Sequence, residues 1–241
     1  MASIDLKKGD CLELLGGVQD MSIDLILCDL PYGTTRNKWD KIIDLDKLWE
    51  HYNRIIKDNG AIVLFSQQPF SSKLIESNPK MFRYEWIWTK GLATGHLNAK
   101  KMPLKKHENI LVFYKKLPTY NPQWWYSTPY KVKQGRSKSS NYDKQRPYTP
   151  SESKDGRRYP VDIIEFKHDG KKLHPTQKPV ALLEYLIKTY TNEGDTVLDN
   201  CMGSGSTGVA CVNTNRNFIG IELSSEYYNI AKDRIEKAVA K

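Results

Sequence analysis

Short apolar runs alternate with amphipathic stretches along most of this chain. Ile23–Cys28 (IDLILC) is almost continuously apolar and of strand length, the pattern of a strand covered on both faces, as in a parallel sheet. Ala61–Phe65 reads the same way, Thr196–Asp199 and Phe218–Leu223 add two more strands, and Ser3–Leu6 is a weaker one that ends at Gly9-Asp10. Helical patterns lie between them. Leu48, Tyr52, Ile55 and Ile56 share one face of a helix predicted over residues 45–57, with Asn59-Gly60 as its terminator. Further helices are predicted over Cys11–Leu15, around Phe70–Ile75, from Pro179 onward with Leu183, Ile187 and Tyr190 on one stripe, and over Ser206–Val212. Ser224 or Ser225 caps a last helix running towards Lys241. Tyr84–Trp88 and Asn109–Tyr114 are strands joined by a Gly- and Lys-rich loop. Strands alternating with helices predict an α/β fold whose mostly parallel sheet carries helices on both faces.

The periodicity fades between Lys115 and about Lys172, where Trp124, Trp125, Tyr126, Tyr130, Tyr142 and Tyr148 are scattered among lysines and arginines. Charge follows the same boundary. Residues 91–173 hold 18 Lys and Arg against 7 Asp and Glu, while the rest hold 19 against 21, so the net +9 resides in this basic stretch. That is the footprint of a polyanion binder, or otherwise a solvated lysine-rich loop. No apolar run reaches the length of a spanning helix, and the start of the chain lacks a basic-then-apolar leader, so a cytoplasmic protein without a membrane partner is expected. The four cysteines lie far apart with no C-x-x-C pair; no metal is expected, and Cys28, Cys201 and Cys211 read as buried thiols in apolar surroundings.

Two segments carry chemistry. Val197–Gly208 joins a predicted strand to a helix and contains Gly203, Gly205 and Gly208 as G-x-G-x-x-G, with Glu222 ending the next strand. Glycines admit a ligand close to the backbone, and an acid at that point can hold ribose hydroxyls, so an adenosine-bearing cofactor is indicated. Asp199 caps the first strand, where it would repel a pyrophosphate but attract the ammonium of a methionine moiety. No Gly-Lys-Ser/Thr follows, which disfavours a triphosphate loop. S-adenosylmethionine is therefore favoured over NAD. The alternative is a close-packed turn with Glu222 as an ordinary strand-end acid.

The second segment is Asp29-Leu30-Pro31-Tyr32, which ends the buried strand where open α/β sheets place ligands. The amino nitrogen of adenine or cytosine is a poor nucleophile because its lone pair is delocalised into the ring. Two acceptors for its hydrogens, the Asp29 carboxylate and the Leu30 carbonyl, would draw it towards tetrahedral geometry. Pro31 stiffens the turn and Tyr32 offers a stacking face. A plain turn with a solvated acid and a packing tyrosine is the competing reading.

With both segments in view, the chain resembles the permuted β-class of DNA N6-adenine and N4-cytosine amino-methyltransferases. In that class an Asp-Pro-Pro-Tyr-like motif lies near the N-terminus and the Gly-rich motif near the C-terminus. His174-Pro175-Thr176-Gln177-Lys178-Pro179 resembles the family's segment ahead of the cofactor strand, and Gly9-Asp10 its adenine-contacting turn. Trp88-Thr89-Lys90 and His107-Glu108 are similar to later elements. The resemblance implies a single Rossmann-like methyltransferase domain with a seven-stranded sheet and circularly permuted motif order. Its catalytic half would be 1–114, a basic target-recognition insertion 115–173, and its cofactor half 174–241. It implies contacts to S-adenosylmethionine from Asp10, Cys11, Asp29, His174, Thr176, Lys178, Asp199, Cys201, Gly203, Ser204, Gly205, Ser206, Thr207, Glu222 and Leu223, with Lys178 at the methionine carboxylate. Leu30 stands where the family has its first Pro, and Cys201 where it has Phe. The leading Asp accompanies adenine N6 more than cytosine N4 in the family. Double-stranded DNA is the expected partner, with Arg36, Lys38, Lys131, Lys133, Arg136 and Lys138 on phosphates. Gly33–Asp40 forms a flap over the target base, or a plain connecting loop. The short recognition region points to a homodimer. RNA or protein amide methylation, and a silent nucleic-acid-binding protein, remain the competing functions.

Overall fold

The computed structural model describes residues 2–33, 40–131, 152–168 and 177–240. They form two compact units, residues 1–121 with 162–241, and residues 122–161.

The larger unit is built on one eight-stranded sheet. Its strands in chain order are β1 (Ile4–Lys8), β2 (Ile23–Asp29), β3 (Ile56–Ser66), β4 (Phe82–Thr94), β5 (Lys105–Phe113), β10 (Ile163–Phe166), β11 (Thr196–Asp199) and β12 (Asn217–Glu222). They lie in the order β1-β12-β11-β2-β3-β5-β4-β10, and only β5 runs against its neighbours. Alternation along β2 explains its uninterrupted apolar sequence. Leu25 and Leu27 enter one core with α4 (Val180–Tyr190), α5 (Ser206–Asn213) and α6 (Ser225–Val239). Ile26 and Cys28 enter the other, with α1 (Cys11–Leu15), α2 (Leu45–Ile55) and α3 (Phe70–Ser77). Fully burying each such side chain contributes about 1.5–3 kcal/mol.

Three sequence expectations change. The sheet has eight strands rather than seven, because β10, inside the expected 115–173 insertion, pairs in parallel with β4 at Ile163↔Ile87 through Phe166↔Lys90. Trp88 and Thr89 fasten it, the indole N–H donating to the Phe166 carbonyl at 2.9 Å and the hydroxyl to the Ile164 carbonyl at 3.1 Å. Asn59-Gly60 does not end α2. The helix stops at Ile55, and both residues lie in β3, where pairing with β2 shifts register. There a Cβ on Gly60 would sit 2.9 Å from the Asp24 carbonyl, so the chain can pass only as glycine. Cys201 is half-buried at a cavity wall rather than in the core; Cys28 and Cys211 are buried, and all four thiols are free.

The smaller unit contains two short antiparallel pairs, β6 (Trp125–Tyr126) with β9 (Arg157–Arg158) and β7 (Tyr130–Lys131) with β8 (Glu152–Ser153). Its arginines lie over aromatic rings, Arg157 at 4.7 Å from the Trp124 centroid and Arg158 at 3.9 Å from that of Tyr130. Trp124 also packs on Tyr159, with centroids 4.2 Å apart, while Trp125 and Tyr126 are exposed. One tryptophan thus packs within the unit and the other faces outward.

Candidate active site

Beyond β11 the chain continues to β12 on one side, and beyond β2 it continues to β3 on the other. The two parallel strands pair at Val197↔Leu25 and Leu198↔Ile26, so Asp199 and Asp29 emerge side by side on one edge of the sheet. A reversal of strand order of this kind leaves a crevice at the carboxyl ends. A cavity of about 650 Å³ occupies it, lined by both aspartates together with Tyr32, Lys178 and Glu222.

The β2 side is a closed charge network. Lys178 Nζ lies 2.6 Å from Asp29 Oδ2 and 3.2 Å from Glu108 Oε2, and Lys90 Nζ lies 3.1 Å from Glu108 Oε1. Tyr32 donates its hydroxyl to Asp29 Oδ1 at 2.6 Å and stacks on Phe70 with centroids 5.3 Å apart. Burial pushes the Asp29 carboxyl above its ordinary value and Glu108 adds to the rise, against the pull of Lys178 and Tyr32. For Glu108 burial also acts upward, but Lys178 and Lys90 outweigh it and hold the carboxyl below its usual range. Burial acts to lower the Lys178 pKa, but the two carboxylates overcome this and raise it.

The β11–β12 side is held by neutral donors. Asp199 accepts from the Thr207 hydroxyl at 2.6 Å and from the Cys201 N–H at 3.1 Å, and burial pushes its carboxyl up to about 6. Glu222 accepts from the N–H groups of Gly203 at 2.9 Å and Ser224 at 2.8 Å, and burial raises it. Among the described residues neither acid forms an ion pair. The three glycines have separate reasons. Gly203 and Gly205 adopt positive φ (51° and 77°), whereas a Cβ on Gly208 would meet Ile235 Cδ1 at 2.3 Å where α5 packs on α6. From α6, Arg234 fixes the loop, donating to the Ser204 carbonyl at 2.5 Å and to its hydroxyl at 3.0 Å.

Asp29, Leu30, Pro31 and Tyr32 all line this one cavity, as do Asp10, Cys11, Lys178, Asp199, Cys201, Gly203, Ser204, Ser206, Thr207, Glu222 and Leu223. Gly205 does not; it is the N-cap of α5. Asp10 has a structural task as well, accepting from Leu12 N at 2.8 Å to cap α1. Lys178, expected beside a methionine carboxylate, directs its ammonium to Asp29 and Glu108. His174 and Thr176 lie outside the described residues, as do Arg36, Lys38, Lys133, Arg136, Lys138 and most of the expected flap. Lys131 is exposed on β7 in the smaller unit. Arg234 was missed entirely, and Glu108 and Lys90 carried no role. Only Lys90 carried a signal, a charge at the end of the largely apolar WIWT run; it is 4% exposed in the structure, and burial of that degree requires a partner.

Such a cavity can place a cationic ligand against Asp199 and Glu222, and a planar amino-bearing ring against Tyr32 and Asp29. The comparisons agree with that chemistry. The model of the DNA methylase family N6_N4_Mtase matches residues 23–233. Type II methyltransferase M.HpaI of Haemophilus parainfluenzae is 29% identical over 94% of this chain and 72% of its own length. DNA adenine methyltransferase YhdJ of Escherichia coli is 29% identical over 95% of this chain and 82% of its own. The crystal structure of the M1.HpyAVI–SAM complex superposes with a TM-score of 0.65 at 28% identity, covering 96% of this chain and 99% of that one. The cytosine-N4-specific PvuII methyltransferase, at 17% identity and a TM-score of 0.70, shares the fold.

Proposed function

The chain belongs to the N6_N4_Mtase family of DNA methylases and is an S-adenosylmethionine-dependent, site-specific DNA methyltransferase; on that premise we propose that it methylates the N6 amino group of an adenine flipped out of the duplex. The observation that carries this reading is the emergence of Asp29 and Asp199 from neighbouring parallel strands into one cavity. The leading Asp29 favours adenine by resemblance, and a relative named as an adenine methyltransferase agrees.

The residues fit the cofactor. Asp199 and Glu222 are carboxylates without a cation partner among the described residues, and Gly203 holds the left-handed conformation (φ 51°) that favours glycine, the residue that lets a ligand approach the backbone. Asp199 would hold the ammonium and Glu222 the ribose hydroxyls, with Asp10 and Cys11 at the adenine end. When bound, the cofactor supplies an activated methyl group on a sulfonium. The chain's own part is positional. Asp29 and the Leu30 carbonyl accept the two N6 hydrogens, which frees the nitrogen lone pair, while Tyr32, backed by Phe70, stacks on the base. The N6 proton lost on methylation passes first to Asp29, whose raised pKa suits it to accept. Lys131, Lys133, Arg136, Lys138, Arg36 and Lys38 hold phosphates, which gives affinity without sequence information. Two copies form the working unit, as light scattering would test.

Mapping modified positions on DNA from cells expressing the chain is the decisive experiment. N6-methyladenine in one recurrent sequence is expected; N4-methylcytosine would overturn the adenine assignment, and unmodified DNA the reading as a whole.

A further inference from the structure

The end of β4 and the connection that leads from it to β5 present apolar side chains that the fold does not use. Leu97 is completely exposed (101%), Leu92 is 81% exposed and Met102 52%. Lys100, Lys101, Lys105 and Lys106 stand exposed in the same stretch. Its tip is built rather than loose. Gly95 takes a left-handed conformation (φ 89°) ahead of a short 3-10 turn over His96–Asn98. The N–H groups of Asn98, Ala99 and Lys101 then donate in succession to Gly95, His96 and Asn98 at 2.8–3.1 Å. Thr94, at the root of this tip, lines the cavity together with Asp29 and Tyr32, and Thr94 donates its hydroxyl to the Lys105 carbonyl at 3.3 Å. Three residues span at most about 11 Å, so Leu97 is held within that distance of the cavity rim.

A single exposed leucine needs no explanation, but several large apolar side chains along one lysine-bearing hairpin end do. Their partner must be anionic and also able to take up an apolar group. A second copy of the chain meets the second condition and fails the first, since like charges would face each other. A duplex from which one base has rotated meets both, with phosphates for the lysines and a gap in the stack for a leucine.

We propose that Leu97 enters the base stack of the DNA as a wedge, filling the space left when the target base turns into the cavity, while Lys100 and Lys101 grip the flanking backbone. This rests on the reading of the chain as a methyltransferase acting on a flipped base. Methylation kinetics on two duplexes carrying the mapped recognition sequence test it: one fully paired, the other mismatched opposite the target base, which removes most of the cost of extrusion. Leu97→Ala, at a position with no packing role, should lower kcat/KM on the paired duplex by about tenfold and on the mismatched duplex by less than about twofold. Leu97→Met should recover most of the loss. With 2-aminopurine at the target position, the alanine variant should give a weaker fluorescence rise on binding than the unsubstituted protein. Unchanged activity on the paired duplex, or equal loss on both, overturns the wedge. Absence of methylation on both duplexes by the unsubstituted protein overturns the wedge and the parent reading together.

Discussion

The two ends of the cavity treat charge differently. At the β2 end Asp29 and Glu108 share Lys178 and Lys90, so two acids meet two bases in a buried network. At the β11–β12 end Asp199 and Glu222 are held by hydroxyl and amide donors, with no cation among the described residues. A neutralised end suits an uncharged base, whose chemistry depends on aligned acceptors. An uncompensated end suits a ligand that brings its own positive charge, because an isolated buried carboxylate is costly until it is paired. One cavity thus separates the task of aligning from the task of attracting.

Substitution at each end should break one task and spare the other. Asp29→Ala should lower methyl transfer by about 10²–10³-fold, the range for losing one aligned polar group in a water-poor site, with cofactor affinity by calorimetry nearly unchanged. A parallel collapse of cofactor affinity would erase the distinction between the ends. Asp199→Asn should do the converse, weakening cofactor binding roughly 10- to 100-fold through loss of a charge-assisted contact worth about 1.5–3 kcal/mol. The carboxyl of Asp199 lies at about 6, and only its ionised form pairs with an ammonium. Cofactor affinity should therefore fall as pH drops through that value, by up to about tenfold per unit, and stay level above it until the cofactor's own α-ammonium deprotonates at about pH 8. In Asp199→Asn this part of the pH dependence should vanish; its survival would point to another group. Glu108→Gln sharpens the comparison with the smallest effect. Turnover should fall about tenfold or less, with cofactor affinity unmoved. Because Glu108 raises Asp29, its removal should also shift the acid limb of the rate profile to lower pH.

The parts of the molecule that depend on neighbours in sequence were legible in advance. Cys11–Leu15 and Thr196–Asp199 were bounded as the structure has them, and the two-sided burial of β2 follows from its unbroken apolar run. Contacts across the chain were not legible. Glu108 is 18 residues from Lys90, and Asp29 is 149 from Lys178, so no spacing rule connects them. Arg234 looks like one more charge on a terminal helix until Ser204 is seen opposite it. β10 was hidden because Ile163–Phe166 is interrupted by Glu165 and flanked by the polar, basic stretch, whereas the equally short Thr196–Asp199 lies in a regular strand–loop–helix setting.

The pairing of β2 with β11 also sets a timetable for synthesis. Asp29 comes from β2, whereas Lys178, which pairs with it, lies 149 residues later in the chain, and Asp199 and Glu222, which line the same cavity, lie later still. A nascent chain holding Asp29 has no counter-ion for it until Lys178 is made, and the cavity lacks its other two acids until Asp199 and Glu222 follow, so the site closes only after most of the sheet has been translated.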